Sequence, residues 1–267
     1  MITFFSLAAF IFGSAIGSFL NVLTLRLPEE ESLGGRSHCP SCKHILSSSD
    51  LVPLFSFLWL RGKCRYCKTK ISARYFMVEL ATALLFAWVY AALLPESIFG
   101  IVILIRYWFV AAVFVSVFVI DLEHFVILDK MVLLSSIVVA SINIILSIIA
   151  GSSVFSINGL FISGLVGAVA GFLPFYALWF VSKGKWLGFG DVKFALLLGL
   201  ILGWPQIYVG YFFAIMIGGF VSSILLIFTK KSLKSRLPFG TFLTVGAFLA
   251  MLYGPLFLKW YLAFLGF

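Results

Sequence analysis

Four cysteines and two aspartates carry the chemistry open to this chain. Cys39-Pro-Ser-Cys42 and Cys64-Arg-Tyr-Cys67 are two Cys-x-x-Cys pairs, 21 residues apart. Each pair can turn two sulfurs onto one ion, and the second pair closes a tetrahedral shell. A four-thiolate site leaves no open coordination position, so the expected role is a structural zinc staple. Two disulfides are the rival, and the redox compartment of the segment decides between them. Asp121 ends the apolar run 109–120, and Asp191 follows Gly188-Phe189-Gly190 at the start of another. Two carboxylates on different helices, at one membrane level, can face each other and share a proton. The ionised one then draws a proton from water as that water attacks a peptide carbonyl. The protonated one donates to the carbonyl and afterwards to the leaving amine. Which aspartate holds the proton is open, because the pair titrates as a unit. Asp191 also reads as a plain helix-start residue that satisfies free N–H groups.

The elements that must position these groups are membrane helices. The chain of 267 residues is 63% hydrophobic and 11% charged, with a mean hydropathy of +1.16. Soluble domains run near a quarter charged. The expected fold is therefore all-α, a polytopic membrane bundle of about eight helices. The candidate spans are 3–26, 76–94, 98–120, 131–149, 157–181, 191–204, 206–228 and 239–262, the sixth being short for a bilayer. With residue 1 outside, the inside segments are 27–75, 121–130, 182–190 and 229–238. Counted with the bordering Arg26 and Lys193, they hold 17 of the 19 Lys and Arg residues, all but Arg106 and Lys259. This is a positive-inside pattern. The net charge of +9 thus reports topology and contact with anionic lipid, and no basic folded domain points to nucleic acid. Residues 2–25 lack a preceding positive residue and are followed by Arg26, the reverse of a signal peptide, and read as a retained span. The cysteine segment is then cytoplasmic, where thiols stay reduced and zinc is favoured over disulfides. Three regions follow: a first span at 1–26, a cytoplasmic zinc loop at 27–75, and a membrane core at 76–267. The loop is too short for a dinucleotide-type domain and has no glycine-rich fingerprint. Its stretch Leu51–Leu60, interrupted by Pro53, is expected on the membrane surface or against the helices.

In sequence order, the motifs resemble the type IV prepilin leader peptidases, a family of integral-membrane aspartic endopeptidases. The likeness rests on Gly17-Ser18-Phe19-Leu20-Asn21-Val22, on the two cysteine segments 36–42 and 60–67, and on Ile71-Ser72-Ala73-Arg74-Tyr75 leading to Glu79-Leu80. It continues through Ile120-Asp121-Leu122-Glu123-His124, Gly188-Phe189-Gly190-Asp191-Val192-Lys193 and Pro238-Phe239-Gly240. Leu128, Thr241 and Phe76 stand where the family usually has proline, a change of backbone stiffness rather than of a titrating group.

The resemblance implies an enzyme of the bacterial cytoplasmic (inner) membrane, with its active site facing the cytoplasm. Such an enzyme removes the leader of prepilins or pseudopilins, with Asp121 and Asp191 as catalytic residues. Because the cysteine loop is complete, it also implies N-methylation of the new N-terminus from S-adenosylmethionine. The zinc loop, the helices or both would hold that donor, and the sequence does not name the residues. Glu79 reads as a methylation-side residue or as a helix-end ion-pair partner of Arg74. Asp129 reads as a cap of the next helix, with a supporting role beside Asp121 as the alternative. Arg106 is expected to snorkel to the outer face beside Tyr107 and Trp108. His38, His44 and His124 carry no catalytic spacing. A carboxylate-lined transporter would place its acids at mid-membrane within repeated halves. A zinc-bearing scaffold would leave the aspartate motifs without purpose.

Overall fold

A computed structural model describes residues 2–151, 153–156, 159–228 and 237–266. The expected inside segment 229–238 falls almost entirely outside them. The described residues form an all-helical protein: α1 (Ile2–Arg26), α2 (Phe55–Trp59), α3 (Ala73–Leu93), α4 (Ile98–His124), α5 (Asp129–Ile149), α6 (Leu160–Ser182), α7 (Phe189–Leu202), α8 (Gln206–Phe228) and α9 (Phe239–Phe264). Seven of these, all but α2 and α7, are long and apolar enough to cross a membrane. With 14 residues, α7 is about 21 Å long, short of a hydrocarbon core of about 30 Å. It is a core helix: Val192, Phe194, Ala195 and Leu197 have no exposed surface, and a helix apolar all round belongs inside a bundle.

The chain divides into two compact units. The first holds Met1–Glu96 and Tyr107–Ser116; the second holds Ser97–Arg106 and Val117–Phe267. The first unit is built on α1 against α3. A side chain at Gly13 would strike Cα of Ala83, and one at Gly17 would strike Cα of Glu79 at 2.7 Å. The two small residues, one turn apart, let the helix backbones touch, which is how membrane helices gain packing without a hydrophobic drive. Ser72 starts α3 by accepting the N–H of Arg74. The stretch Leu51–Leu60 contains α2 and is two-faced. Phe57 stacks on Phe76, while Phe55, Leu58 and Trp59 are exposed.

In the second unit α7 lies among α5, α6 and α9. Gly199 meets the backbone of Gly167 and Ala168 so closely that no side chain fits. Arg106 does not snorkel. It is buried, and it donates to Asn143 Oδ1 at 2.9 Å and to the carbonyl of Ile201. Asn143 in turn donates to the carbonyl of Leu200. The last carbonyls of a helix lack intrahelical partners, and a cation is favoured at that end. Arg106 and Asn143 therefore finish α7 from within the protein, and the other end of α7 carries Asp191.

Candidate aspartate and cysteine sites

Asp121 lies in the last turn of α4, which continues to His124 and is closed by Phe125 in the left-handed conformation. The chain then runs extended through Leu128 into α5. Asp191 lies in the first turn of α7. Both carboxylates line one pocket of about 180 Å³, together with Phe125, Val126, Ile127, Asp129, Gly188 and Gly190. The structure thus brings the two sequence-predicted aspartates together at helix ends within the second unit.

Their settings differ. Asp121 is 5% exposed and is held by the N-terminus of α9. The N–H of Thr241 donates to its Oδ2 at 2.9 Å, and the Gly240 N–H also bonds it. Asp191 is half-buried. Burial first, and the charge of Asp121 second, push its carboxyl up to about 7 against a bond from the Gly188 N–H. A carboxyl poised there is matched to proton transfer near neutral pH.

Glycine sets the clearances. A side chain at Gly240 would sit 2.7 Å from Asp121 Oδ2, at Gly190 3.3 Å from Ile127, and at Gly188 3.3 Å from Asp191 Oδ2. Gly240 and Thr241 were legible only as the start of the last span. Their distance of about 120 residues from Asp121 hid the contact. The change at position 241 is also more than a matter of stiffness, because proline has no N–H to give Asp121. Asp129 departs from the expected cap. It is the first residue of α5, whose N-cap is Leu128 with no side-chain bond, and both its oxygens accept from Lys193 Nζ, at 2.6 and 2.7 Å. Lys193, two residues past Asp191, is itself set over the Phe189 ring.

The cysteine site belongs to the first unit. Cys39, Cys42, Cys64 and Cys67 place their sulfurs within 4.8 Å of one another. All four are free thiols. Two equivalent turns deliver them. His38 pairs with Ile45 and Lys63 with Lys70 as isolated bridges. Within each, the N–H of the first cysteine bonds the residue five ahead, Cys39 to His44 and Cys64 to Thr69. Lys43 and Lys68 take the left-handed turn position at φ 57° and 59°. The unit Cys-x-x-Cys-Lys is therefore a short repeat, whose lysines take the turn position in both copies. His44 lies against Tyr66 at 3.6 Å and joins the two turns. Metal–sulfur bonds of about 2.3 Å in a tetrahedron put sulfurs roughly 3.8 Å apart, and Cys39 and Cys67 are 3.8 Å apart. The cluster fits a metal ion.

Asp50 braces the loop. It accepts from Arg65 and from the Ser47 N–H and hydroxyl. Burial alone would raise its carboxyl, but the Ser47 bonds and the Arg65 charge outweigh that and hold it below the usual carboxylate value. Glu79 on α3 is 8% exposed and accepts the N–H of Leu54 at 2.8 Å and a bond from Ser18. Arg74 donates to Asn21 Oδ1 and Thr24 Oγ1.

Known proteins resemble this chain in sequence. Residues 11–93 match the model of the Bacterial Peptidase A24 N-terminal domain, and residues 108–223 that of the Type IV leader peptidase family. The chain is 32% identical to the Prepilin leader peptidase/N-methyltransferase of Aeromonas hydrophila, over 97% of this chain and 94% of that protein. It is 32% identical to the protein of that name from Bacillus subtilis, over 95% and 96%, and 31% identical to that from Pseudomonas aeruginosa, over 98% and 95%. No solved structure matches. Likeness of this depth along both chains, with seven helices fit to cross a membrane, makes the chain a multi-pass membrane protein that belongs to the type IV leader peptidase family.

Proposed function

We propose that the chain is a prepilin leader peptidase whose catalytic pair is Asp121 and Asp191. The observation that carries this reading is their convergence on one small pocket, with the charge of Asp121 acting on Asp191. A water between them gives a proton to the ionised carboxylate as its oxygen bonds the scissile carbonyl carbon. The other carboxyl gives its proton to the carbonyl oxygen. Collapse breaks the C–N bond, and the amine leaves with a proton from the pair. Burial and the charge of Asp121 favour the neutral form of Asp191, so the shared proton of the pair is assigned there. The substrate is a prepilin or pseudopilin, whose hydrophobic segment lies in membrane lipid while the leader junction meets the pocket. The basic segments favour an inner-membrane enzyme with this pocket on the cytoplasmic side. Placement of both acids at helix ends disfavours a transporter.

The same chain is proposed to N-methylate the exposed N-terminus. S-adenosylmethionine, when bound, supplies an electrophilic methyl group. Cys39, Cys42, Cys64 and Cys67 would hold a zinc ion, which would order the loop and leave no coordination position for a hydrolytic water. The test is cleavage of a purified prepilin in detergent. Asp121→Asn and Asp191→Asn should each lose at least about 10³-fold, because members of a catalytic unit do not act alone. Near wild-type cleavage by either variant removes that residue from the pair.

A further inference from the structure

The first unit contains a second and larger cavity, of about 520 Å³, between the cysteine loop and the ends of α1 and α3. That volume is in the range of small-molecule and cofactor sites, about 300–1,000 Å³. Its walls are chemically mixed. Phe57 and Tyr75 offer aromatic surface, Lys43 and Lys70 offer positive charge, and Glu79 and Ser18 reach it from the helices. Glu79 is the unusual member. A buried carboxylate is costly unless a cation or several donors satisfy it. Its donors, the Leu54 N–H and Ser18, are neutral. Among the described residues no Lys or Arg forms an ion pair with it. The Leu54 bond instead ties the turn that leads into α2, whose Ser56 and Phe57 also line the cavity.

We propose that this cavity is the S-adenosylmethionine site and that Glu79 supplies the negative charge that selects the sulfonium. The inference rests on the N-methyltransferase reading above and deepens it. The donor has an adenine that suits aromatic walls, a carboxylate that suits Lys43 and Lys70, and a fixed positive charge at sulfur. Transfer balances without a further reagent. The amine lone pair forms the new N–CH3 bond, and the CH3–S bond breaks with its electrons left on sulfur. One proton then passes from the ammonium to water. The product S-adenosylhomocysteine is a neutral thioether, so its attraction to Glu79 falls on transfer and release is favoured. Cys39 and Cys64 line the same cavity, so an ordered metal loop is a condition for the site.

The experiment is equilibrium binding of radiolabelled S-adenosylmethionine and S-adenosylhomocysteine to the purified full-length protein in detergent, with metal content measured on every sample. Glu79→Gln should weaken the sulfonium ligand by about tenfold or more and the thioether by less than about threefold, because only the charge term is lost. A packing role for Glu79 would move both alike. Ser56→Trp, which fills the cavity, should abolish binding of both at unchanged metal content. If the wild type binds neither ligand and transfers no methyl group, the methyltransferase reading falls and this site with it. If the wild type binds and transfers, but Glu79→Gln leaves the ratio of affinities unchanged or Ser56→Trp binds normally, the site assignment alone is overturned.

Discussion

Gly240 gives the most exacting test of the aspartate site. A Cβ there would lie 2.7 Å from Asp121 Oδ2, 3.1 Å from its Cγ and 3.0 Å from Ile127 Cδ1. Non-bonded heavy atoms settle at about 3.5 Å, so Gly240→Ala drives the carboxylate back by roughly 0.8 Å. The obstructing atoms end a short side chain that can rotate, which limits the cost in stability to about 1–3 kcal/mol, that of one unpaired buried N–H. Alanine also gains up to about 1 kcal/mol of helix propensity over glycine. The cost to chemistry is larger. A carboxylate that retreats loses the Thr241 N–H at 2.9 Å and its alignment with Asp191. Misplacement on the order of 1 Å costs about 10²-fold, or about 2.7 kcal/mol in the barrier. Gly219→Ala is the matched control, a helix-interior glycine with nothing within 4 Å of the added atom. Initial rates of prepilin cleavage should fall about 10²-fold in the first variant and stay at wild type in the second, with the first variant less stable by no more than the roughly 1–3 kcal/mol of one unpaired buried N–H. Equal rates would falsify the placement of Asp121 against α9.

Cleavage at prepilin well below KM, which reads kcat/KM and so the free protein, should decline as pH rises through about 7. The Asp191 carboxyl is raised to about 7, so its protonated form dominates below that value and is lost above it. A flat profile from pH 6 to 9 contradicts Asp191 as the acid. Thiol titration of the denatured, chelator-treated protein should find four free thiols per chain, and metal analysis about one zinc, falling sharply in Cys39→Ser or Cys64→Ser. Fewer than four thiols would indicate disulfides. Arg106→Met should lower unfolding stability in detergent by about 2–3 kcal/mol, since it strips charged hydrogen bonds from Asn143 and the α7 terminus. An unchanged denaturation midpoint would show that α7 does not depend on Arg106.

What the sequence reveals here is set by distance along the chain. The cysteine pairs and the helices are written in short windows, and both were legible. Leu51–Leu60, expected on the membrane surface or against the helices, packs Phe57 on Phe76 of α3. Arg106 was misread because hydropathy sees only neighbours, while its partners Asn143 and Ile201 lie 37 and 95 residues away. A buried arginine at a helix C-terminus follows from packing that no local pattern displays. Asp129 was misread for a related reason. A residue at a helix start looks like a cap, but Lys193, 64 residues on, takes both of its oxygens. Proline-to-threonine at 241 read as a change of stiffness until the bond to Asp121 gave it a chemical meaning.

Both buried carboxylates depend on backbone N–H groups delivered from elsewhere in the chain, Asp121 on Thr241 and Glu79 on Leu54. A backbone donor cannot swing away as a lysine can, so it fixes the acid without neutralising it with a full charge. That suits a group that must exchange protons or meet a cation, because a resident ammonium would lock the carboxylate in its ionised form. The arrangement also separates chemistry from folding. An amide in place of Asp121 keeps an oxygen for the Thr241 N–H, whereas alanine leaves that buried donor without a partner, at about 1–3 kcal/mol. Loss of cleavage in an asparagine variant that melts normally therefore speaks to proton transfer itself. The same loss in an alanine variant confounds proton transfer with the seating of α9. Asp121 is best examined by isosteric exchange, because its supports are backbone groups that substitution elsewhere cannot delete without moving a helix.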